Sequence, residues 1–284
     1  MGVQGGTSFM DHSPKLAAFV LAVTALATSA CAASLDPEAP AEDAEDAASQ
    51  AVRTHNALTS NALTSNALTA DVLTSSALTS NALTAEALSA SALTAEALRD
   101  PAARTLLKYI ASCALPAGER LTVAVDGARL SFPGELGLAP AWGQEGGSCD
   151  GACRSWVSGC VLARVNYLGQ KVNISVRGDR EELEADKAER AAFPTREATY
   201  YGDIFAEQPV YKACLPPGAS AIPRVCGPSL VACAIEIAGR CDALCDEPTG
   251  DGSFPNCRDA VRRPSGKLAV GRTPHAGSVT VFLR

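Results

Sequence analysis

Cysteine is the residue type with the widest chemical scope in this chain of 284 residues. A cysteine can act as a thiolate nucleophile, ligate a metal ion or form half of a disulfide. An even number of cysteines in an exported domain predicts disulfides, although the spacing does not decide their pairing. Ten of the eleven cysteines follow Tyr109, and all ten are predicted half-cystines: Cys113, Cys149, Cys153, Cys160, Cys214, Cys226, Cys233, Cys241, Cys245 and Cys257.

Cys153 and His275 are the pair that could serve as nucleophile and general base. With Gln144 and Cys149 they resemble papain-like cysteine proteases, in which a glutamine and a helix-start cysteine precede a distant histidine. The resemblance implies a secreted cysteine hydrolase, which is the alternative function. The family has Cys-Gly-Ser-Cys-Trp where this chain has Cys-Asp-Gly-Ala-Cys-Arg. With ten cysteines to pair, half-cystines are the preferred interpretation, and no catalytic residue is predicted.

Metal-binding patterns are weak in this sequence. The cysteines lack the close paired spacing of a zinc site, and only His55 and His275 follow the export signal described below. Asp246, Glu247 and Asp251 lie in one loop but lack the alternating ligands of a calcium-binding loop, so a solvated turn is the preferred interpretation. We predict no metal site and no cofactor.

The formal net charge of −7 comes from one segment. Without its six carboxylates the chain is nearly neutral, and no basic stripe is evident that could follow a phosphate backbone. Nucleic acid is therefore not a predicted partner. The six residues are Asp36, Glu38, Glu42, Asp43, Glu45 and Asp46.

An export signal occupies residues 1–31. Residues 16–27 are continuously apolar and follow Lys15. This run is shorter than the roughly 20 residues that a membrane-spanning helix needs, but it suits the apolar region of a signal peptide.

The end of this signal resembles the lipobox of bacterial lipoproteins, in which a cysteine after small residues is diacylated and becomes the first mature residue. The segment here is Thr-Ser-Ala-Cys, with Thr28 where a leucine is usual. The resemblance implies lipidation of Cys31 and a membrane partner through the lipid, and Ala32 resembles the outer-membrane sorting pattern. The alternatives are plain secretion after cleavage beyond Cys31 and an uncleaved anchor. Residues 32–55 are then an acidic tether predicted to be disordered.

Residues 56–98 form nine pentads, each with a leucine that follows Ala or, once, Val72. A period of five gives neither a helical stripe nor one strand face. The leucine spacing resembles pentapeptide-repeat proteins, which implies a square β-helix, but here an apolar residue rather than a polar one directly precedes each leucine. A disordered or extended spacer, a helix and a β-helix remain alternatives, with the spacer preferred. The leucines are Leu58, Leu63, Leu68, Leu73, Leu78, Leu83, Leu88, Leu93 and Leu98.

Residues 99–284 are predicted to be a cysteine-rich α+β domain. Asp100-Pro101 is typical of a helix start, and the following face of Leu106, Leu107, Ile110 and Cys113 should pack inward. Asp126-Gly127 predicts a hairpin of 121–125 with 128–132. Further predictions are a helix over 149–164 with a buried cysteine-rich stripe, and strands over 172–176 and 278–283.

Two short segments echo each other, Cys149-Asp-Gly-Ala-Cys153 and Cys241-Asp-Ala-Leu-Cys245. Cysteines four apart on a helix seldom reach each other with relaxed disulfide geometry. Each of these four cysteines is therefore expected to bond to a different element of the fold.

The pentads and the segment Cys149-Asp-Gly-Ala-Cys153-Arg-Ser-Trp-Val together resemble cysteine-rich envelope lipoproteins and secreted proteins of myxobacteria. The resemblance covers most of residues 56–284 and implies export and domain layout, without an activity. The sequence thus predicts an exported cell-envelope lipoprotein, on the outer membrane or cell surface or else secreted. Its domain would be a structural or binding module on a spacer, with an unidentified protein or glycan partner.

Overall fold

The computed structural model describes Leu78 and residues 81–90, 96–167, 172–227 and 233–284. The predictions for the signal, the tether, Cys31 and most of the repeat lie outside these residues. Among the described residues, no helix is long and apolar enough to cross a lipid bilayer.

Helices and strands alternate irregularly along the described chain, which confirms the predicted α+β class. In these residues there are six α-helices and nine β-strands. In chain order they are α1 Ala85–Ala90, α2 Pro101–Ala114, β1 Arg120–Val125, β2 Ala128–Pro133, α3 Gly151–Ala163, β3 Ser175–Arg177, α4 Lys187–Ala192, β4 Thr195–Asp203, β5 Val210–Leu215, α5 Pro223–Cys226, β6 Glu236–Arg240, α6 Cys241–Leu244, β7 Cys257–Arg262, β8 Leu268–His275 and β9 Val279–Leu283.

The start of α2 is the one that the sequence predicts. The Asp100 side chain accepts a hydrogen bond from the Ala102 backbone N–H at 2.8 Å, and Pro101 occupies the first turn. The cap satisfies a donor that the helix leaves unpaired. The expected inward face is fully buried: Leu106, Leu107, Ile110 and Cys113.

The predicted hairpin is also confirmed. Strands β1 and β2 pair antiparallel around Asp126 and Gly127, which have φ values of 50° and 80°. Both positions of this tight turn need a left-handed backbone, which Asp and Gly tolerate best. Alternate residues of β1 are buried, and this places Leu121 and Val123 in the core.

A five-stranded sheet in the order β3-β9-β4-β5-β6 forms the centre of the domain. Its neighbours pair antiparallel except β5 and β6, which are parallel. Helix α3 packs against β4 and β9. The backbone of α3 approaches the segment before β9 closely at Gly159. A Cβ at that position would lie 2.0 Å from the backbone oxygen of Gly277, so only glycine fits there.

Two predicted strands are shorter than expected. Strand β3 covers only the end of 172–176 because its pairing with β9 begins at Ser175, opposite Phe282. Strand β9 begins at Val279 instead of Ser278. The Ser278 hydroxyl donates to the backbone oxygen of His275 and accepts from the backbone N–H of Cys257, so this residue forms a corner.

Helix α3 begins two residues later than the predicted 149–164. Asp150 is its N-cap and accepts from the backbone N–H of Cys153 at 2.9 Å, which leaves Cys149 outside the helix. The buried stripe is nevertheless present, since Trp156, Cys160 and Ala163 are buried.

The last pentads contribute to the core of the domain. Leu78, Leu83, Leu88 and Leu98 are at most 4% exposed and belong to the same hydrophobic cluster as α2. The Trp142 indole N–H donates to the backbone oxygen of Asn81 at 2.8 Å. A buried Trp needs such an acceptor. The described part of the repeat therefore packs with the cysteine-rich domain, although the sequence places the boundary between them at residue 98. The spacer interpretation of residues 56–77 stays a prediction.

Five disulfides join all ten cysteines of the domain, as the even count predicts. They link cysteines 4 to 47 residues apart: Cys113–Cys160, Cys149–Cys153, Cys214–Cys241, Cys226–Cys233 and Cys245–Cys257.

The expectation for the two echoing segments is right for one and wrong for the other. Cys241 and Cys245 bond to other elements, through Cys214 and Cys257. Cys149 bonds to Cys153 within its own segment, with the Cα atoms 5.1 Å apart. The physical reason is that Cys149 precedes the helix, so its side chain is not held parallel to that of Cys153 as two helical residues would be.

The disulfides should differ in their contribution to stability. In the chain-entropy view a longer closed loop stabilises more, so losing Cys113–Cys160, which are 47 apart, should cost about 2 kcal/mol more than losing Cys149–Cys153, which are 4 apart. Urea unfolding of Cys113→Ala/Cys160→Ala and of the matched Cys149→Ala/Cys153→Ala variant measures this difference. Equal midpoints and slopes for the two variants would contradict it.

Candidate functional site

The two residues of the predicted nucleophile–base pair lie on neighbouring segments. Cys153 is in the first turn of α3, and His275 ends β8. Two residues beyond His275, the backbone N–H of Gly277 donates to the hydroxyl of Ser155 at 2.9 Å. Ser155 lies two residues beyond Cys153, so this hydrogen bond joins the two segments. Within the described residues, however, no hydrogen bond links the side chains of Cys153 and His275.

The chemistry of Cys153 is that of a half-cystine in this structure. Its sulfur is bonded to Cys149, so the thiolate that a cysteine hydrolase needs is not present in the oxidised domain. Gln144, the residue matched to an oxyanion-hole glutamine, is exposed after the short 3₁₀ turn of Pro140–Gly143.

His275 belongs instead to a cluster of ionisable side chains, which we call the His275 cluster: His275, Asp259, Lys212, Glu236 and Tyr201. The His275 Nε2 lies 3.2 Å from Asp259 Oδ1, and the Lys212 Nζ lies 3.1 Å from the same oxygen. The Lys212 ammonium is also 4.0 Å from Glu236 Oε2. The rings of His275 and Tyr201 are tilted against each other with centroids 5.3 Å apart.

Strand pairing brings these residues together from five strands. Lys212 on β5 lies opposite Tyr201 on β4 and opposite Glu236 on β6. His275 on β8 lies opposite Cys257 on β7, two residues before Asp259. The cluster thus connects the two-stranded ribbon of β7 and β8 to the edge of the five-stranded sheet.

The charges of the cluster favour the ionised carboxylate. Burial of Asp259 opposes its ionisation, but the hydrogen bond from Lys212 and the charges of His275 and Lys212 outweigh it, so the pKa of Asp259 is lowered. Burial, with the nearby carboxylates of Asp259 and Glu236, raises the pKa of Tyr201 well above its ordinary value. Tyr201 is therefore a neutral hydrogen-bond donor at neutral pH, and its hydroxyl donates to the backbone oxygen of Arg258 at 3.3 Å.

Two disulfides pack close to one another in the same small core as Tyr201. The Cys214 sulfur is 3.4 Å from that of Cys245 and 4.0 Å from that of Cys257. The sulfurs of Cys214, Cys241 and Cys245 lie within 4.8 Å of one another. All three are oxidised, and a metal ion prefers thiolates, so these sulfurs could act as ligands only after both disulfides are reduced.

Two of the three carboxylates in the acidic loop contact neighbouring side chains. Asp246 forms an ion pair with Arg258 at 2.8 Å and accepts a hydrogen bond from the Asn256 amide, and these contacts lower the pKa of Asp246. Asp251 accepts hydrogen bonds from the hydroxyls of Thr249 and Ser253. These contacts fit the predicted turn.

Sequence reasoning singled out one member of the His275 cluster and missed the other four. Asp259, Lys212, Glu236 and Tyr201 are separated by up to 58 residues and share no motif. Only the pairing of their strands brings them near His275, so no local signal could have identified them.

The cluster can orient an imidazole and neutralise a carboxylate, but its contacts do not form a triad. His275 touches the Asp259 carboxylate and the Tyr201 ring, and neither is a hydroxyl or thiol nucleophile of the kind that a His–Asp pair activates. The arrangement is that of an electrostatic clamp. No protein-family model, no curated protein and no solved structure matches this chain.

The clamp predicts a pH dependence of stability. A carboxyl whose pKa is lowered by folding stabilises the native state above its unfolded pKa, and this contribution disappears as the pH falls through the folded pKa. Asp259→Asn should therefore lower the free energy of unfolding at pH 7 by about 1 kcal/mol at most, because water screens the half-exposed Asp259 carboxylate. It should also flatten the loss of stability in acid. Urea unfolding between pH 2 and about 7 measures both effects.

Asp242→Asn is the matched control, because it removes the same charge from the exposed pair with Arg240. Little change is expected for it. Parallel stability curves for Asp259→Asn and the unmodified protein would contradict the clamp.

The state of Cys153 is directly testable. Native protein treated with iodoacetamide without a reductant should show no alkylation at Cys153, and a non-reducing peptide map should contain a peptide with the Cys149–Cys153 link. Alkylation of Cys153 alone in the native protein would contradict this pairing and restore the hydrolase interpretation.

Proposed function

We propose that this chain is an exported cell-envelope lipoprotein whose lipid on Cys31 carries a disulfide-linked α+β domain. The observation that supports the proposal most strongly is the joining of all ten domain cysteines in five disulfides. Such density is characteristic of oxidising compartments outside the cytosol.

The cysteine count supports a separate fate for Cys31. The chain has eleven cysteines, and the domain uses ten of them in pairs with one another. Cys31 is the one left over, and it directly follows the small residues at the end of the apolar run 16–27. A cysteine whose sulfur is alkylated by diacylglycerol needs no disulfide partner.

A structural or binding role agrees better with the domain than catalysis does. The Cys153 sulfur is in a disulfide, and His275 serves a clamp at the sheet edge. Five cross-links and a clamped ribbon favour a rigid surface, which is what a displayed module needs. Placement on the outer membrane is the finer proposal, and it depends on Ala32 after the lipidated cysteine.

The mature N-terminus tests this function. The intact mass and the N-terminal peptide of the membrane-extracted protein should show a chain that begins at Cys31 and carries a diacylglyceryl group. Cys31→Ser should move the protein from the detergent phase to the aqueous phase in Triton X-114 partitioning. The control Ser34→Ala, which lies beyond the cysteine, should stay in the detergent phase.

Two outcomes would overturn parts of the proposal. A mature chain that begins beyond Cys31 without a lipid would replace the lipoprotein by a plainly secreted protein. A cytoplasmic chain with ten reduced cysteines would end the proposal of export.

A further inference from the structure

The two-stranded ribbon of residues 257–275 exposes its tip and most of strand β8. It forms its own sheet, separate from the five-stranded one. Its base is fixed by the Cys245–Cys257 disulfide, and Ala260 and Leu268 pack in the small core near Tyr201. The tip is a turn in which the backbone N–H of Arg263 donates to the oxygen of Lys267 at 2.9 Å. We call this element the basic ribbon.

The basic ribbon concentrates positive charge in a chain whose net charge is −7. Its only carboxylate, Asp259, is already paired with Lys212 and His275. Its Arg and Lys residues are Arg258, Arg262, Arg263, Lys267 and Arg272.

Three of these cations are available to a partner. Arg263, Lys267 and Arg272 are exposed, and among the described residues none of them is in an ion pair. By contrast, Arg258 is occupied by Asp246. The free charges therefore lie at the tip and along β8.

The same ribbon exposes aliphatic surface. Val261 is 68% exposed and lies opposite Ala269, so both face away from the small core. No Phe, Trp or Tyr occurs in residues 257–275. Aliphatic side chains beside Lys and Arg suit the interface of an anionic membrane. Single-stranded nucleic acid is usually held by aromatic stacking as well as by charge, and the ribbon has no platform for it.

We propose that the basic ribbon docks the domain on the anionic phosphate headgroups of a phospholipid membrane. The inference rests on the proposed function, because export and a lipid anchor would place the domain next to such a surface. Arg263, Lys267 and Arg272 supply the attraction to phosphate, and Val261 contacts the headgroup boundary. Each cation near an anionic surface adds about fivefold in affinity, so the three together supply roughly a hundredfold.

The test uses the exported chain with Cys31→Ser, so that no lipid anchor contributes. Co-sedimentation with phosphatidylcholine vesicles containing 30% phosphatidylglycerol, about the anionic content of a charged bilayer, should show binding that weakens at high salt. Pure phosphatidylcholine vesicles should bind little. The variant Arg263→Gln/Lys267→Gln/Arg272→Gln should lose roughly a hundredfold in affinity.

A matched control removes three exposed cations elsewhere, through Arg120→Gln/Arg129→Gln/Lys187→Gln. It should lose only a few-fold. Unchanged thermal unfolding of both variants shows that the loss is not one of folding. Val261→Ser should weaken binding less than the triple variant, with no change in salt dependence.

Several outcomes would overturn the docking proposal. Equal binding to neutral and anionic vesicles, or equal losses in the triple variant and its control, would each do so. Tighter binding to a single-stranded oligonucleotide than to vesicles would assign the ribbon to nucleic acid instead. This test can fail independently of the test of the proposed function. Vesicle binding is measured on the Cys31→Ser chain, which carries no lipid, whereas lipidation is measured on the chain with Cys31 unchanged.

Discussion

Sulfur–sulfur cross-linking is the constraint that holds the β7–β8 ribbon against the rest of the domain. The small core at the ribbon base has seven buried residues, three of them cysteines, and the disulfides Cys214–Cys241 and Cys245–Cys257 lie 3.4 Å apart at their nearest sulfurs. A core of that size buries too little apolar surface to hold a two-stranded ribbon by itself. The two disulfides restrict the unfolded chain instead, and they fix β5, α6 and β7 relative to one another.

The larger core is different, because it combines the Cys113–Cys160 disulfide with extensive apolar packing and a buried ion pair. The side chains of Arg224 and Glu197 are at most 5% exposed, and their closest atoms are 2.6 Å apart. The Arg224 guanidinium also donates to the backbone oxygens of Ala163 and Val165. A buried pair is tolerated when further hydrogen bonds satisfy it. The pair links the end of α3 to β4 and to α5. Leu83 and Leu98 then extend the same core into the end of the pentad repeat.

The His275 cluster makes the ribbon rigid relative to the five-stranded sheet. The His275 cluster joins the ribbon to the sheet, since Asp259 contacts both His275 on β8 and Lys212 on β5. Its position at the junction explains why a His–Asp contact exists without a nucleophile beside it. A ribbon held by a disulfide and a clamp presents its cations in a fixed arrangement, which lowers the ordering cost of binding.

The sequence by itself determined the features that depend on neighbouring residues. Asp100 and Pro101 define the start of α2, Asp126-Gly127 defines the hairpin, and the even count of ten cysteines predicts complete pairing. Caps, turns and compositional counts are local, so they can be read along the chain. Only the tertiary structure decided which cysteines pair, that the last pentad leucines join the core, and that Lys212, Asp259 and Tyr201 surround His275. Those contacts join strands and loops distant in sequence, and their geometry exists only once the sheet and the ribbon have formed.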